Sequence, residues 1–279
     1  MPHQPRYGFQ EVVVKNEDFS FLTPSSALLF ESKVELPVYS KSVLNLFYDA
    51  YPLSWFKEGI LPEIANKFNF KYCFDRQCAI IPYLDLEGNL IGNRQRNFKE
   101  EEIQAGRKYI PLQSEGTCYR YPSSATFYGL YENQEAIRKY RRVILFESEK
   151  SVLLSSSFFG KDVDISLALG GMNISQAQRQ ILLDLGVETV IISLDKENTN
   201  DWHSPQTIKY LKHLRKLTQL LLPFFQVEIM ICFDERLELK ESPIDRGYDT
   251  FMALYKERHP IPDINLLEDL IQFSERVSS

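Results

Sequence analysis

Cysteine is scarce. The 279-residue chain has four (Cys73, Cys78, Cys118 and Cys232), and no two form a CxxC pair. The four histidines, His3, His203, His213 and His259, are scattered. A structural zinc site needs clustered Cys and His ligands, so no zinc is expected and the cysteines are read as free thiols, some of them buried. No run of about 18 apolar residues occurs, which excludes an ordinary transmembrane helix. The opening residues, MPHQPRYGFQ, lack the basic-then-apolar pattern of a signal peptide. A cytoplasmic protein without a membrane partner is the expectation. Positive charge is not in excess either: the net charge is -6 and the pI about 5.4. The whole-chain basic footprint of many nucleic-acid binders is therefore missing, which still leaves room for a local basic groove. No internal repeat, low-complexity tract or GxxxxGK[ST] phosphate loop is found.

What is present is ordinary globular material, 44% hydrophobic and 25% charged, enough for one large or two modest domains. Residues 1–25 mix polar and apolar positions and read as an arm. From about 40 to 70 the pattern is helical, with Ile60, Leu61, Ile64 and Phe68 at helical spacing. Residues 78–98 form two apolar runs around Glu87-Gly88-Asn89, a hairpin pattern. Pro111, Gly116 and Pro122 punctuate residues 99–140, where loops and short elements are expected. From 141 onward four short apolar runs (141–147, 162–169, 188–195 and 227–233) alternate with helical stretches. Among these, Ser175 is placed to cap a helix ending near Leu185, and Ile208, Leu211, Leu214, Leu217 and Leu220 share one helical face. Helices at about 247–258 and 263–276 close the chain. Short buried strands alternating with helices predict an α/β fold with a mostly parallel sheet flanked by helices.

Ligands of such sheets bind at the carboxyl ends of the strands, and three of those ends carry acids. Glu147 ends the first run, Asp195 and Glu197 the third, and Asp234 and Glu235 the fourth, with Glu241 and Asp245 a short loop further on. Carboxylates brought together there suit magnesium or manganese, which are held by a few acids plus substrate phosphates. Without a cation such a group repels itself. The plainer reading is a set of solvated loop acids.

FESEKSVLL (146–154), ALGGMNIS (168–175) and ISLDKEN (192–198), with ESPID (241–245) more loosely, resemble the strand-end glutamate, Gly-containing turn, DxD motif and third acidic motif of the TOPRIM domain of bacterial and phage-type DNA primases. Ser148 stands where the family has glycine, Ser151 where cellular primases have an acid, Glu197 where they have the second aspartate, and the glycine after DxD is missing. Upstream, SWFKEGILPEIANKF (54–68), a PxxDxxGxxxGxxxR hairpin within 80–98, KYIP (108–111) and FYGLYEN (127–133) resemble the primase polymerase N-terminal subdomain. The resemblance spans about 45–255. It implies an N-terminal α+β polymerase subdomain over 1–140, a TOPRIM catalytic domain over 141–260 and a C-terminal helix over 261–279.

It also implies roles. Glu147 and Asp195 would be catalytic, and Glu147, Asp195, Glu197, Glu241 and Asp245 would hold Mg2+ or Mn2+. Arg94, Arg96, Lys108, Tyr109 and Lys150 would contact template or nucleotide, arginine gripping phosphate bidentately and lysine as a point charge. Their plainer readings are a solvated hairpin strand for Arg94 and Arg96, and a surface ion pair for Lys150. The basic stripe Lys209, Lys212 and Lys216 reads as a solvated helix face. The function implied is synthesis of short RNA primers on single-stranded DNA for a phage or integrative element. Template and NTPs are the partners, and a helicase and a zinc-ribbon subunit are supplied separately. The alternatives are a metal-dependent TOPRIM nuclease, and a non-catalytic DNA-binding module descended from a primase.

Overall fold

A computed structural model describes residues 35–261 and residue 271. The expected arm (1–25) and nearly all of the expected C-terminal helix lie outside the described residues. The helical stretch at 40–70 is three short pieces: a 3-10 helix (Lys41–Leu46), α1 (Leu53–Lys57) and α2 (Pro62–Lys67). Pro52 and Pro62 set the breaks, since proline suits a helix start and not its interior. Ile60, Ile64 and Phe68 are buried as expected, while Leu61 is exposed.

The first sheet is antiparallel, in the order β1-β2-β3-β4: β1 (Lys71–Cys73), β2 (Cys78–Leu84), β3 (Leu90–Asn97) and β4 (Tyr109–Pro111). The hairpin pattern is realised by β2 and β3. Asp85 Oδ1 accepts from the N–H groups of Glu87 and Asn89, and Gly88 takes φ +83° to close the turn. Gly92 is required for a different reason. The Tyr121 side chain packs directly against it, and a Cβ would stand 2.5 Å from Tyr121 Cδ1. Residues 99–140 hold more structure than their punctuation suggests. α3 (Glu100–Gln104), a small pair β5 (Gln113–Ser114) and β6 (Thr117–Cys118), and α4 (Leu130–Tyr140) all fall there.

The second sheet has the order β11-β10-β9-β7-β8. Its members are β7 (Arg142–Phe146), β8 (Ser166–Ala168), β9 (Thr189–Ile192), β10 (Gln226–Ile229) and β11 (His259–Ile261). All pairings are parallel except β10 with β11. The central strands β7, β8 and β9 are buried and largely apolar, whereas β10 (Gln-Val-Glu-Ile) alternates polar positions with buried apolar ones. Ile144, Phe146 and Ile191 point into the core shared with α1, α2 and the first sheet. Val143, Leu145, Val190 and Ile192 point into a second core under α6 (Gln176–Asp184) and α7 (Pro205–Leu221). Ser175 caps α6 in a full capping box with Gln178. The remaining helices are α5 (Glu149–Phe159) and α8 (Tyr248–Lys256). Among the described residues no helix is long and apolar enough to cross a membrane.

Candidate catalytic site at the strand ends

β7 and β9 are adjacent and parallel, so the residues that follow them leave the sheet on the same side. Glu147 follows β7 directly, and Asp195 and Glu197 follow β9 in a strand-end loop. Glu147 Oε2 and Asp195 Oδ1 are buried oxygens without hydrogen-bond partners. Burial, and after it the charges of Glu147 and Asp245, pushes the Asp195 carboxyl up to about 7. Burial, and then Glu197, raises Glu147 as well, against the opposing influence of Lys240 and His213. Tyr210 of α7 is buried beneath, its hydroxyl raised by burial and then by Asp195, Glu147 and Glu197. Four of the five proposed metal ligands are therefore electrostatic neighbours.

The fifth, Glu241, is committed elsewhere. Its Oε2 accepts from Arg246 Nε (2.7 Å) and from the Glu238 N–H (2.8 Å). Burial raises this carboxyl, but those two donors outweigh it and hold it below the usual carboxylate value. Asp245 accepts from the Ser242 N–H (3.0 Å) and pairs with Lys150 Nζ (2.9 Å), which also reaches Glu58 at 2.7 Å. Lys150 is thus a partly buried link between α5, the 241–245 loop and the segment after α1. Glu197 pairs with the exposed Lys240.

Asp195 and Glu197 lie in one loop and Glu241 and Asp245 in another, and a lysine that reads as a mere spacer ties these two loops together. Lys196 is 5% exposed. Its ammonium donates to Asn200 Oδ1 (2.9 Å), Asp234 O (2.6 Å) and Leu237 O (2.9 Å). Its own backbone accepts from Lys240 N and donates to Glu241 O, each at 2.8 Å.

The first sheet contributes an opposing, cationic wall. Arg94 and Arg96 alternate with the buried Asn93, Gln95 and Asn97 along β3, so the two arginines share a face. Arg96 stands opposite Tyr109 in the β3–β4 register. Arg94 lies 4.4 Å from the Tyr109 ring centroid, and Arg96 lies 4.1 Å from that of Phe98 and 5.4 Å from that of Trp55. Burial, and then Glu149, raises the Tyr109 hydroxyl to about 12. Burial, and then Arg96 and Lys150, lowers Lys108, while Asp195 and Asp245 act on it in the opposite sense, which places it within electrostatic reach of the acids.

Glu149 was missed by the sequence reading. It is 1% exposed at the start of α5. Its Oε1 accepts from Arg94 Nη1 and from the Tyr83 hydroxyl, both at 2.6 Å. Tyr83 in turn stacks on Tyr121 with centroids 4.1 Å apart. This joins the helix following Glu147 to the arginine face of β3. The turn after β8 closes the same corner, a Cβ on Gly170 standing 3.7 Å from Arg94 Nη1.

Among the described residues no three Asp, Glu, His or Cys side chains form a ready metal cage. The donors nonetheless suit a hard cation: the oxygens are carboxylate, two are buried and unpartnered, and their charges are mutually unfavourable. An open set of this kind fits magnesium or manganese, which complete their coordination with water and substrate phosphates.

The two-sheet fold is that of bacterial primase catalytic cores. The primase of Aquifex aeolicus, in a structure of its zinc-binding and RNA polymerase domains, superposes with a TM-score of 0.58 at 18% identity over 79% of this chain and 60% of that one. The RNA polymerase domain of Mycobacterium tuberculosis DnaG primase, in complex with a double-stranded DNA oligomer with a 6-nucleotide overhang, gives 0.58 at 13% identity over 82% and 80%. In sequence, the chain is 34% identical over 233 residues to the SPbeta prophage-derived uncharacterized protein YorJ of Bacillus subtilis. That match covers 81% of this chain and 61% of YorJ, so the chain spans less than two thirds of its curated relative. No family model matches.

Proposed function

We propose that the chain is the polymerase core of a TOPRIM-type DNA primase, making short RNA primers on single-stranded DNA for a phage or related mobile element. The observation that carries this reading is the convergence of Glu147, Asp195, Glu197 and Asp245 opposite Lys108 and the Arg94–Arg96 face. The primase-core fold and the prophage origin of YorJ support it.

Glu147, Asp195, Glu197 and Asp245 would hold Mg2+ or Mn2+. Once bound, the ion would neutralise phosphate charge and polarise the reacting oxygens. Lys196 fixes the two acid-bearing loops relative to each other, so the carboxylates need little reorganisation when charge develops. Lys108 and Arg96 would supply cations for the triphosphate or the template backbone, Arg94 being held by the buried Glu149, and Lys150 holds Asp245 in place. The primer 3′-hydroxyl would attack the α-phosphorus, giving up its proton to Glu147 as general base, while the bond to the β-phosphate breaks and pyrophosphate leaves, driven mainly by positioning and charge neutralisation. A separate helicase and zinc-ribbon subunit would complete the system.

The test is incubation of the protein with single-stranded DNA, Mg2+ or Mn2+ and labelled NTPs. A ladder of short RNAs is expected, reduced by at least about 100-fold in Asp195→Asn, in line with the loss of one electrostatic group from a transition-state site. Shortened DNA without NTPs would move the assignment to a nuclease. No product, with single-strand binding retained, would make the chain a non-catalytic binding module.

A further inference from the structure

The loop that begins at Asp195 and Glu197 does more than present two acids. Where the primase pattern has a glycine after this motif, the chain continues Asn198-Thr199-Asn200-Asp201-Trp202, and α7 starts only at Pro205. The loop is built rather than slack. Asn198 Nδ2 donates to Cys232 O (2.8 Å), and Lys196 Nζ to Asn200 Oδ1 (2.9 Å). The Thr199 N–H donates to Thr207 Oγ1 (3.0 Å), the Thr199 and Ser204 hydroxyls lie 2.7 Å apart, and the His203 N–H donates to Asp201 Oδ1 (2.9 Å).

These bonds lay the indole of Trp202 flat on Phe233, with ring centroids 3.5 Å apart and planes 12° apart. Phe233 follows β10, the neighbour of β9, so the pair stands at the same strand-end edge as the acids. Yet Trp202 is 37% exposed, whereas the other tryptophan, Trp55, is 2% exposed within the core. Packing alone gains most when a large ring is buried on both faces, which is how Trp55 is used. A rigidly held, half-covered indole beside a polymerase-like centre has the properties of a stacking platform.

We propose that Trp202 and Phe233 stack against a base of single-stranded nucleic acid crossing the strand ends. The location rests on the polymerase reading above, but the binding does not require catalysis. The surrounding charge selects the base rather than the backbone. The open depression beside the pair is lined by Asn200, Asp234, Glu235 and Arg236. Arg236 is engaged by Asp234 and Glu257, so the rim is acidic and disfavours phosphate. A neutral base offers a π-face whatever its identity, so this contact is sequence-tolerant.

The experiment is a fluorescence titration of the full chain with a short oligothymidylate, without NTPs or divalent cations. Trp55 serves as the buried internal reference. Quenching of the exposed tryptophan is expected, with affinity falling about tenfold in Trp202→Leu and staying near wild type in Trp202→Phe. The loss in Trp202→Leu should be similar at low and high salt, because stacking releases no counterions. No binding, binding without quenching, or equal affinity of the leucine variant would overturn the platform and leave the pair to a protein contact. Quenching with the tenfold loss but no primer product would uphold the platform and overturn the polymerase reading. A primer ladder with no change in Trp202→Leu affinity would do the reverse.

Discussion

Two glutamates, two residues apart, are treated in opposite ways. Glu149 faces the first sheet and is largely finished: Arg94 and Tyr83 both donate to its Oε1, Tyr109 and Tyr121 close the corner, and its Oε2 alone lacks a donor, so what separates it from Glu147 is the paired cation. Glu147 faces the strand ends and is left wanting. Its Oε2 has no donor, and its carboxyl is raised by burial and by Glu197, with Asp195 beside it pushed up to about 7. A buried carboxylate matched by a cation and hydrogen bonds holds elements together. Several buried carboxylates set against one another cost stability unless a ligand supplies positive charge. On the proposed reading, the junction around Glu149 belongs to the scaffold and the cluster around Asp195 to the chemistry.

The comparison is broken most severely by removing the cation from the finished side. Arg94→Met leaves Glu149 buried and unpaired, and a loss of about 3–5 kcal/mol is expected in urea unfolding. The double variant Arg94→Met, Glu149→Met should recover most of that loss, since a hydrophobic replacement of the pair removes the unpaired charge. If the single change is neutral, the junction is not part of the scaffold. Gly92→Ala strikes the same corner sterically. The new methyl meets the Tyr121 ring at 2.5 Å, and about 1–3 kcal/mol should be lost as Tyr121 moves off the sheet.

On the unfinished side the expected effect is smaller and depends on pH. Asp195 binds its proton more tightly folded than unfolded, with a folded value of about 7 against an ordinary 3.8. Between those values the folded state holds a proton that the unfolded state has released, so stability falls as pH rises through the window. Glu132, raised by burial to about 7, contributes with the same sign. The melting temperature without divalent cations should therefore drop from pH 5 to pH 8. In Asp195→Asn the slope should become shallower, leaving the shares of Glu132 and the other raised carboxyls, Glu147 and Asp164. An unchanged slope in that variant would remove Asp195 from the account.

Much of the scaffold was legible in the sequence because its signals are local. The PxxDxxGxxxGxxxR spacing is a hairpin whose Asp85 and Gly88 make the turn and whose Gly92 admits Tyr121. Ser175 with Gln178 spells a capping box, and the apolar runs from 141 onward become a mostly parallel sheet. What escaped depends on partners far along the chain. Glu149 beside Lys150 looks like a solvated pair at a helix start, and only Arg94 and Tyr83, 55 and 66 residues away, make it a buried one. Lys196 looks like a spacer between two acids until the carbonyls of Asp234 and Leu237 come round to it. Glu241 resembles a ligand by its place in ESPID, yet Arg246 already claims it. α4 hid in a polar stretch whose start is set by Gly129 at φ +85°.

The central claim, that the Asp195 cluster awaits a cation while the Glu149 junction does not, is tested most directly by a thermal-shift titration with Mg2+ at pH 8. The wild type should melt progressively higher as Mg2+ is added, because an ion bound only by the folded state stabilises it by mass action. Glu149→Gln, whatever its starting stability, should show the same shift, and Asp195→Asn little or none. A wild type indifferent to Mg2+, or an equal rise in Asp195→Asn, would contradict the account.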